Sequence, residues 1–431
     1  MKKNISKAIL TILSIVFFLG VTSCQGGVYY GIMHDVAPET ATISGNITSI
    51  ARCNIDGKEY LFLSTGGTLY YKSIESSKHG EWSSYAAIPF SPHHYNYFAT
   101  ETETEGHQGE YVFRVISDKD YIYLLTASFK PDTDYGIVLP ETFRLWVKPL
   151  ANFLTNTTGE NNGWTNITAG KEDTFYKTVY NSEEGEYETY FSIFSTNSVQ
   201  NQNREAFFRV QTPGTATIDY YTLKGTATAP SKIANPTASN YIKTNDASTK
   251  INSAFYIGST RYFTDAHVVC TNETASATAT KACLAGITIN DDGEYESSAD
   301  IYTFAGGSAK PVKLLTAGSA VASLAFTADS LLIGKGSYSS TYTNDGGIER
   351  ICITDGNLET KTSDFTNNAT YQFTSSYILP VLLCADPAKK EEAACIYAAI
   401  SFRGSDSSSS ATTKDVGLWA YYPARGNWNR E

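Results

Sequence analysis

The strongest constraint on the fold of this chain is a short pattern that recurs six times along it. In each copy, two runs rich in β-branched and aromatic residues flank a tight polar turn, as in "SIARCNIDGKEYLFLS" from Ser49. The other copies begin at Tyr111, Lys177, Ser253, Ala322 and Pro380, so successive copies start 62, 66, 76, 69 and 58 residues apart. Self-similarity at a spacing of this order is typical of repeat architectures, in which each copy is one structural unit.

The spacing between copies is long enough for four strands and their loops. The chain contains 30 Tyr and 21 Phe, which together with abundant Thr, Val and Ile favour strands. Four antiparallel strands are the unit of a β-propeller blade. The sequence therefore predicts an all-β protein, a β-propeller of six four-stranded blades over residues 46–431. Seven blades, or tandem β-sandwiches, are the alternatives.

A second pattern, a strand followed by a polar turn with Gly and then Trp, contains every tryptophan of the chain: Trp82, Trp146, Trp164, Trp419 and Trp428. A tryptophan at one recurring place is expected if its large ring wedges between neighbouring blades. The pattern resembles a degenerate Asp-box of the sialidase type, where Ser-x-Asp-x-Gly-x-Thr-Trp closes a turn between outer strands of a blade. The pattern occurs in three segments, Leu69 to Trp82, Leu145 to Trp164 and Leu418 to Trp428. The Asp of the motif is absent from all three, and its Thr is replaced by Glu81, Gly163 or Asn427. The resemblance implies a fold and no activity.

The first residues read as an export signal. Three lysines precede Ala8 to Gly20, an apolar run of 13 residues, well short of the ~20 needed to cross a bilayer as a helix. The following Val21-Thr22-Ser23-Cys24 resembles the lipobox of bacterial lipoprotein precursors, which implies that Cys24 is lipidated and becomes the new N-terminus. We therefore predict a signal peptide over 1–23 and a lipidated tether over 24–45. The acylated Cys24 would bind a lipid bilayer of the bacterial cell envelope, at the inner or outer membrane and periplasmic or surface-exposed.

The charge of the chain limits its partners. Three of the 33 basic residues and none of the 44 acidic residues lie in 1–23, so the mature chain carries 30 minus 44, a net charge of −14. This balance argues against nucleic acid and anionic lipid headgroups, since both require basic patches.

Six cysteines remain after Cys24, in a setting that permits disulfides. Cys270 and Cys283 bracket one hairpin loop, and Cys384 and Cys395 bracket another. We expect a disulfide across each loop. Cys53 and Cys352 fall inside apolar strands and are expected to be buried thiols.

Sorting the loops by face points to a binding surface. In a propeller the first strand of each blade joins the second on one face, while second-to-third loops and blade connections emerge on the other. The first class is tight in this sequence, whereas the second class is long. Its members are "ASFKPDTDYGIVLPE" after Thr126, "STNSVQNQNRE" from Ser195, "TNETASATATKA" from Thr271, "GKGSYSSTYTNDGG" from Gly334, "RGSDSSSSATTKD" from Arg403 and the connections from Ser91 and Thr226. Long loops on one rim of a rigid scaffold are where binding usually resides.

Within that rim, six residues are binding-face candidates: His93, His94, His107, Asp132, Asp134 and Tyr135. The three histidines flank Glu101, Glu103 and Glu105, but the adjacent pair would point to opposite sides of a strand. The aspartates resemble the start of a calcium loop, yet Glu141 falls at the tenth position where the EF-hand pattern requires the twelfth. We therefore predict no metal site, no cofactor and no catalytic residue.

Two functions compete at this point. The favoured interpretation is a non-enzymatic binding or scaffold module for a protein or glycan, because no nucleophile-elbow, zinc-protease or phosphate-loop motif is present. The alternative is a glycan-processing, sialidase-like hydrolase. It requires a carboxylate pair about 5 to 10 Å apart in the central funnel and an arginine cluster, for which Arg52, Arg114 and Arg209 are the candidates.

Overall fold

The structure of the protein is a computed structural model. It describes residues 43, 47–65, 68–74, 83–84, 111–132, 137–157, 161–169, 178–181, 186–189, 191–196, 204–211, 218–226, 231–233, 240–244, 251–272, 282–285, 299–307, 310–336, 346–365, 378–402, 416–423 and 426–431. The signal peptide and Cys24 lie outside these residues. Within them, no helix is long and apolar enough to cross a membrane.

The first half of the described chain forms three blades and one separate hairpin. Blade 1 contains β1 (Ser49–Ile55), β2 (Lys58–Ser64), β3 (Leu69–Ser73) and β4 (Ser83–Ser84). Blade 2 contains β5 (Tyr111–Ser117), β6 (Tyr121–Asp132), β7 (Ile137–Pro149) and β8 (Thr165–Asn166). The hairpin pairs β9 (Thr178–Asn181) with β10 (Glu186–Thr189). Blade 3 contains β11 (Phe191–Ser195), β12 (Ala206–Gln211), β13 (Ile218–Leu223) and β14 (Ser231–Lys232).

Four more blades follow. Blade 4 has three described strands, β15 (Tyr241–Ile242), β16 (Ser253–Ile257) and β17 (Thr260–Thr264), with β15 parallel to β17. Blade 5 contains β18 (Val268–Thr271), β19 (Ala282–Ala285), β20 (Ala299–Phe304) and β21 (Val312–Ala317). Blade 6 contains β22 (Val321–Phe326), β23 (Ser330–Lys335), β24 (Gly347–Thr354) and β25 (Asn357–Asp364). Blade 7 contains β26 (Ile378–Cys384), β27 (Ile396–Phe402), β28 (Gly417–Tyr422) and β29 (Asn427–Arg430).

The first strands of the seven blades close a ring. In chain order β1, β5, β11, β16 (the first strand of blade 4's hairpin), β18, β22 and β26 each contact the next, and β26 contacts β1. A closed ring of antiparallel blades is a β-propeller, and it rules out the tandem sandwiches. The predicted fold class is thus confirmed, while the predicted blade number is wrong: there are seven blades.

The miscount has a physical origin in the lengths of the inner strands. Blade 5 escaped the pattern because β18 and β19 have only four residues each and no tight turn joins them. The copy from Lys177 combines two units, since it covers the β9–β10 hairpin and the first strand of blade 3. The missed blade 5 alone accounts for six repeats where the chain has seven, and the merged copy shifts only the strand assignment in blade 3.

Alternation along the inner strands divides their side chains between two interblade cores. In β2, Phe62 packs into the core between blades 1 and 2, whereas Leu61 and Leu63 pack into the core between blades 7 and 1. The described residues form seven such clusters, one for each interface of the ring. Each blade is therefore held by its two neighbours, which explains why the strands are apolar on both faces.

The four described tryptophans pack between neighbouring blades, as predicted from their recurring place in the sequence. Trp146 and Trp164 pack between blades 1 and 2, and Trp419 and Trp428 pack between blades 6 and 7. The indole of Trp428 donates a 3.4 Å hydrogen bond to the backbone oxygen of Phe365 in blade 6, so one side chain links two blades. Trp82 lies outside the described residues.

The predicted disulfides are not present, and all six described cysteines are free thiols. Cys270 and Cys283 are opposite each other on β18 and β19, but they serve as packing groups in the core between blades 5 and 6. Burial raises the pKa of Cys270 well above its ordinary value, which keeps the thiol protonated and unreactive.

The second pair and the two remaining cysteines also depart from expectation. Cys384 faces Tyr397 in the register of blade 7, and Cys395 precedes that tyrosine by two residues. Diagonal neighbours of this kind are roughly 7–8 Å apart, beyond the usual span of a disulfide. Cys53 is buried as predicted, but Cys352 is exposed because β24 is irregular between Ile351 and Ile353.

A buried clasp joins the last blade to the first. The backbone N–H of Ile43 donates to the carbonyl oxygen of Glu431 at 3.1 Å, and Ile43, inside the predicted tether, is only 2% exposed. The Glu431 carboxylate, 0% exposed, lies 2.8 Å from the Lys72 ammonium of blade 1 and accepts a hydrogen bond from Tyr422 of blade 7. This clasp closes the ring with one ion pair that is entirely shielded from water.

Candidate functional site

The two faces of the disc differ in the connections they carry. We call the face where the innermost strands begin the entry face, and the opposite face, where β1 turns into β2, the hairpin face. In blades 1, 2, 4 and 6 the turn on the hairpin face is tight as predicted, and Asp56 and Gly57 of blade 1 adopt the positive φ angles of 51° and 81° that suit a two-residue hairpin turn. Second-to-third connections and blade connections belong to the entry face.

The prediction that all long loops share one face is partly wrong. The connections after Gly334 and Arg403 join second to third strands and belong to the entry face. Those from Ser195 and Thr271 join an innermost strand to the second strand, in blades 3 and 5, and therefore belong to the hairpin face. The error follows directly from the miscounted blades.

The segment after Thr126 is an extension of a hairpin. β6 and β7 continue to pair as far as Asp132 and Ile137, so most of the predicted loop is strand. Asp132 is the last residue of β6. The other binding-face candidates, His93, His94, His107, Asp134 and Tyr135, lie outside the described residues.

The seven innermost strands surround a channel of about 640 Å³. Eight hydroxyl side chains are among its described lining residues: Thr48, Ser49, Ser117, Ser195, Thr196, Ser253, Ser323 and Ser401. Three guanidinium groups, those of Arg52, Arg114 and Arg204, also line it, whereas none of the described lining residues is Asp or Glu. The carboxylate pair required by the hydrolase hypothesis is therefore not among them, and the lining is polar and positively charged.

A β-bulge delivers Arg114 to this channel. The register of β5 against β6 shifts between Val112 and Arg114, so Val112 and Val115 both pack into the core between blades 1 and 2. Regular alternation would have put Arg114 on the same side as Val112. Instead, its side chain is exposed and lines the channel.

Arg209 extends toward the same region from the second strand of blade 3. Its Nε donates to Ser192 Oγ at 2.7 Å, and one terminal nitrogen donates to Asn252 Oδ1 at 2.7 Å. The Asn252 amide nitrogen lies 3.2 Å from His267 Nε2. Because Asn252 and His267 immediately precede the innermost strands of blades 4 and 5, this group lies at the entry face.

The two arginines repel each other's charge. The surrounding protein wall partly desolvates the Arg114 guanidinium and lowers its pKa, and the positive charge of Arg209 lowers it further. Burial likewise lowers the pKa of Arg209. Every hydrogen-bond acceptor described for Arg209 is a neutral oxygen, and no described carboxylate pairs with Arg114. We name Arg114, Arg209, Ser192, Asn252 and His267 the entry cluster; it leaves two cations without a counter-charge among the described residues.

The hairpin end of the channel has the opposite character, because Arg52 is neutralised by carboxylates and the side chains of Arg52 and Arg204 are both buried. Arg52 donates to Ala385 O at 3.0 Å and to Asp386 Oδ2 at 2.9 Å, and it also pairs with Glu59. Burial disfavours the charged form of Arg52, but the neighbouring Cys384, Asp386 and Glu59 outweigh it and raise its pKa. For Asp386, burial acts to raise the pKa, and Arg52 outweighs it and lowers the pKa.

A second arginine extends this network across more blades. Arg204 of blade 3 donates to the backbone oxygen of Arg52 and to Ser117 Oγ at 3.0 Å. Blades 7, 1, 2 and 3 are thereby bridged at the hairpin end. Arg204 is 8% exposed, whereas Arg114 and His267 are exposed, so solvent reaches the described lining residues at the entry end.

Sequence reasoning found part of this arrangement. Arg52, Arg114 and Arg209 were candidates for a central cluster, and the structure places Arg114 and Arg209 together but Arg52 at the opposite end. Ser192, Asn252, His267 and Arg204 were missed, since none belongs to a motif. The one available signal was the recurrence of Phe-Arg-Val at Arg114 and Arg209.

Comparison with known proteins finds only weak structural similarities. No family model matches the chain, and no curated protein sequence is significantly similar to it. Among solved structures, the PQQ-bound aldose sugar dehydrogenase of Streptomyces coelicolor matches with a TM-score of 0.40 and 10% identity, covering 89% of this chain and 96% of that one. A thermostable family-43 glycoside hydrolase matches with a TM-score of 0.30 and 10% identity, covering 76% and 97%. Similarities this weak carry no argument about function.

Proposed function

We propose that the protein is an exported, lipid-anchored bacterial binding protein that takes the end of a glycan chain into the entry end of its channel. The observation that carries the proposal is the contrast between the two ends. At the hairpin end Arg52 is buried and paired with Asp386 and Glu59, whereas at the entry end Arg114 is exposed and neither Arg114 nor Arg209 has a carboxylate partner among the described residues. Charged groups that a fold leaves available at an enclosed site are candidates for ligand contact.

The lining supports a sugar ligand. Four of the eight hydroxyl side chains that line the channel of about 640 Å³, those of Thr48, Ser195, Ser253 and Ser401, are partly exposed, and hydroxyls can both donate to and accept from sugar hydroxyls. A volume of this size lies within the range of ordinary small-ligand sites, so it suits one end of a glycan and not a folded protein. The connections of the entry face would supply further contacts around the mouth.

The anchor rests on the first residues of the chain. The run from Lys2 to Cys24 combines a charged start, a short apolar segment and the lipobox-like Val21-Thr22-Ser23-Cys24. Two or three acyl chains on Cys24 would hold the protein stably on a membrane, since each buried methylene contributes about 0.8 kcal/mol.

Blocking the channel is expected to remove glycan binding. Ser253 lines the channel at the first residue of β16, so Ser253→Trp should obstruct the entry end and lower binding to a printed glycan array by about tenfold or more. Val312→Trp is the matched control, because Val312 is 65% exposed on an outer strand; it should bind like wild type. Equal binding by both variants, or an array that stays blank with wild type, would overturn the proposal, provided that melting curves show both variants folded.

Loss of the anchor thiol is expected to abolish membrane attachment. When the full chain is expressed in bacteria fed an alkyne fatty acid, wild type should be labelled and should sediment with membranes. Cys24→Ala should be unlabelled, because no other nucleophile in the segment can form the thioether. Cys352→Ala, which removes an exposed thiol elsewhere, should be labelled like wild type; labelling of Cys24→Ala would refute lipidation at this residue.

A further inference from the structure

We infer that the entry cluster is a binding site for an oxyanion, and that the sugar received by the channel carries a carboxylate, sulfate or phosphate group. This inference rests on the proposed function and specifies its ligand. The group would lie between Arg114 of blade 2 and Arg209 of blade 3, with Ser192, Asn252 and His267 around it.

The geometry supports the assignment because the two guanidinium groups are held differently. Arg209 is fixed by Ser192 Oγ and Asn252 Oδ1, each at 2.7 Å. Arg114 lines the channel as an exposed side chain. One arginine is thus already oriented, and the other is available to close on a ligand. Planar guanidinium groups match the paired oxygens of carboxylates, sulfates and phosphates.

The charges point the same way. The whole chain has a net charge of −11, so two neighbouring cations without a described carboxylate stand out against the rest of the protein. Like charges held close together repel, and an anion between them would relieve that repulsion. At the other end of the channel, Arg52 has the carboxylates of Glu59 and Asp386. The same residue type is therefore neutralised by the fold at one end and left for a ligand at the other.

The polar neighbours suit an oxyanion as well. The Ser192 hydroxyl accepts its hydrogen bond from Arg209, and a hydroxyl that accepts can still donate its own hydrogen. A neutral acceptor on each side of Arg209 orients the guanidinium without cancelling its charge. A carboxylate in place of Ser192 or Asn252 would have oriented the guanidinium and also cancelled its charge. The cluster would then have been a structural ion pair.

Four sugars of the same ring test the inference directly. Binding of D-glucose, D-glucuronate, glucose 6-phosphate and glucose 6-sulfate to the full chain is measured by titration calorimetry at two salt concentrations. We expect at least one anionic sugar to bind more tightly than glucose, and its affinity to fall as salt rises because the contact is ionic. The comparison among the three anions identifies which oxyanion the site prefers. No advantage of any anionic sugar over glucose, whether all bind or none does, would overturn the inference.

Substitutions then locate the site. Arg114→Gln should lower the affinity for the preferred anionic sugar by about 10- to 100-fold, the usual effect of losing a charge-assisted hydrogen bond. Arg114→Lys should lower that affinity less. Arg209→Gln should have a similar effect. Lys313→Gln removes the same charge from an exposed pair with Asp300 on blade 5 and should leave the affinity unchanged. Unchanged affinity in the folded Arg114→Gln protein would also overturn the inference.

The inference and the proposed function fail in different ways. If Ser253→Trp abolishes binding to the glycan array while Arg114→Gln does not, the channel binds glycans and the oxyanion site is wrong. If Ser253→Trp has no effect on the array, the proposed function itself is wrong.

Discussion

Replacing Lys72 by methionine is expected to lower the free energy of unfolding by about 3–5 kcal/mol, the range measured when one partner of a buried ion pair is removed. The Glu431 carboxylate would remain in the seam between blades 7 and 1, 0% exposed, without the Lys72 ammonium beside it. Methionine approximates the length of the lysine stem, so the loss would come mainly from the charge. Urea unfolding followed by tryptophan fluorescence measures the change.

The control for this result is an ion pair of the same length on the surface. Lys232 and Asp219 are also 2.8 Å apart, but their side chains are 60% and 33% exposed, so Lys232→Met should lower the free energy of unfolding far less than Lys72→Met does. Adding Glu431→Gln to Lys72→Met should restore part of the stability, because the unpaired charge is removed. If both lysine variants prove equally stable, the clasp does not hold the ring closed.

The second large effect is expected at the hairpin end of the channel. Arg52→Met should also destabilise the protein by about 3–5 kcal/mol, since it removes the guanidinium that donates to Asp386 and to the Ala385 carbonyl. Arg52→Lys should recover only part of the loss, because an ammonium cannot reproduce the fork of a guanidinium. The same urea titration reports both variants.

A neighbouring lysine supplies a matched control for Arg52. Lys389 lies 3.6 Å from Asp386 but is 47% exposed, so Lys389→Met should change stability by less than about 1 kcal/mol. The effect of Arg52→Met should also depend on pH. The stabilisation through Asp386 is complete above its ordinary pKa of 3.8 and is lost as the pH falls through the lowered folded value, so the two proteins should converge in acid. A gap that stays constant down to that range would exclude Asp386 as the partner responsible.

The class of fold was predictable because its signals are local. A two-residue turn such as Asp56-Gly57 forces the flanking strands to pair, whatever the rest of the chain does. Aromatic and β-branched residues on both faces of those strands then require a neighbour on each side. Both signals are contained in a dozen residues, and together they indicated the ring of blades.

The number of blades was not predictable from the same signals. Blade 5 begins with strands of four residues, β18 and β19, which are held in place by the cores on either side more than by any turn of their own. Lys148 shows a similar limit: a lysine at 0% exposure over the ring of Phe153 has no sequence signature. Tertiary packing decided both cases.

The entry cluster was partly predictable from the sequence. The sequence places Arg114 and Arg209 in strands, but strict alternation would have put Arg114 beside Val112 in a core. Only the bulge at Phe113 turns it toward the channel, and only the packing of blade 3 against blade 4 brings Arg209 to Asn252, 43 residues away along the chain. Bulges and interblade packing depend on contacts that a linear pattern does not record.

If the chain is anchored at Cys24 as we propose, the position of Ile43 has a mechanical consequence. Tension along the residues before Ile43 would reach the folded domain at the backbone bond to Glu431, at the junction of the last and first blades. The force would then act where blades 7 and 1 close the ring, and the buried ion pair of Lys72 and Glu431 would resist their separation.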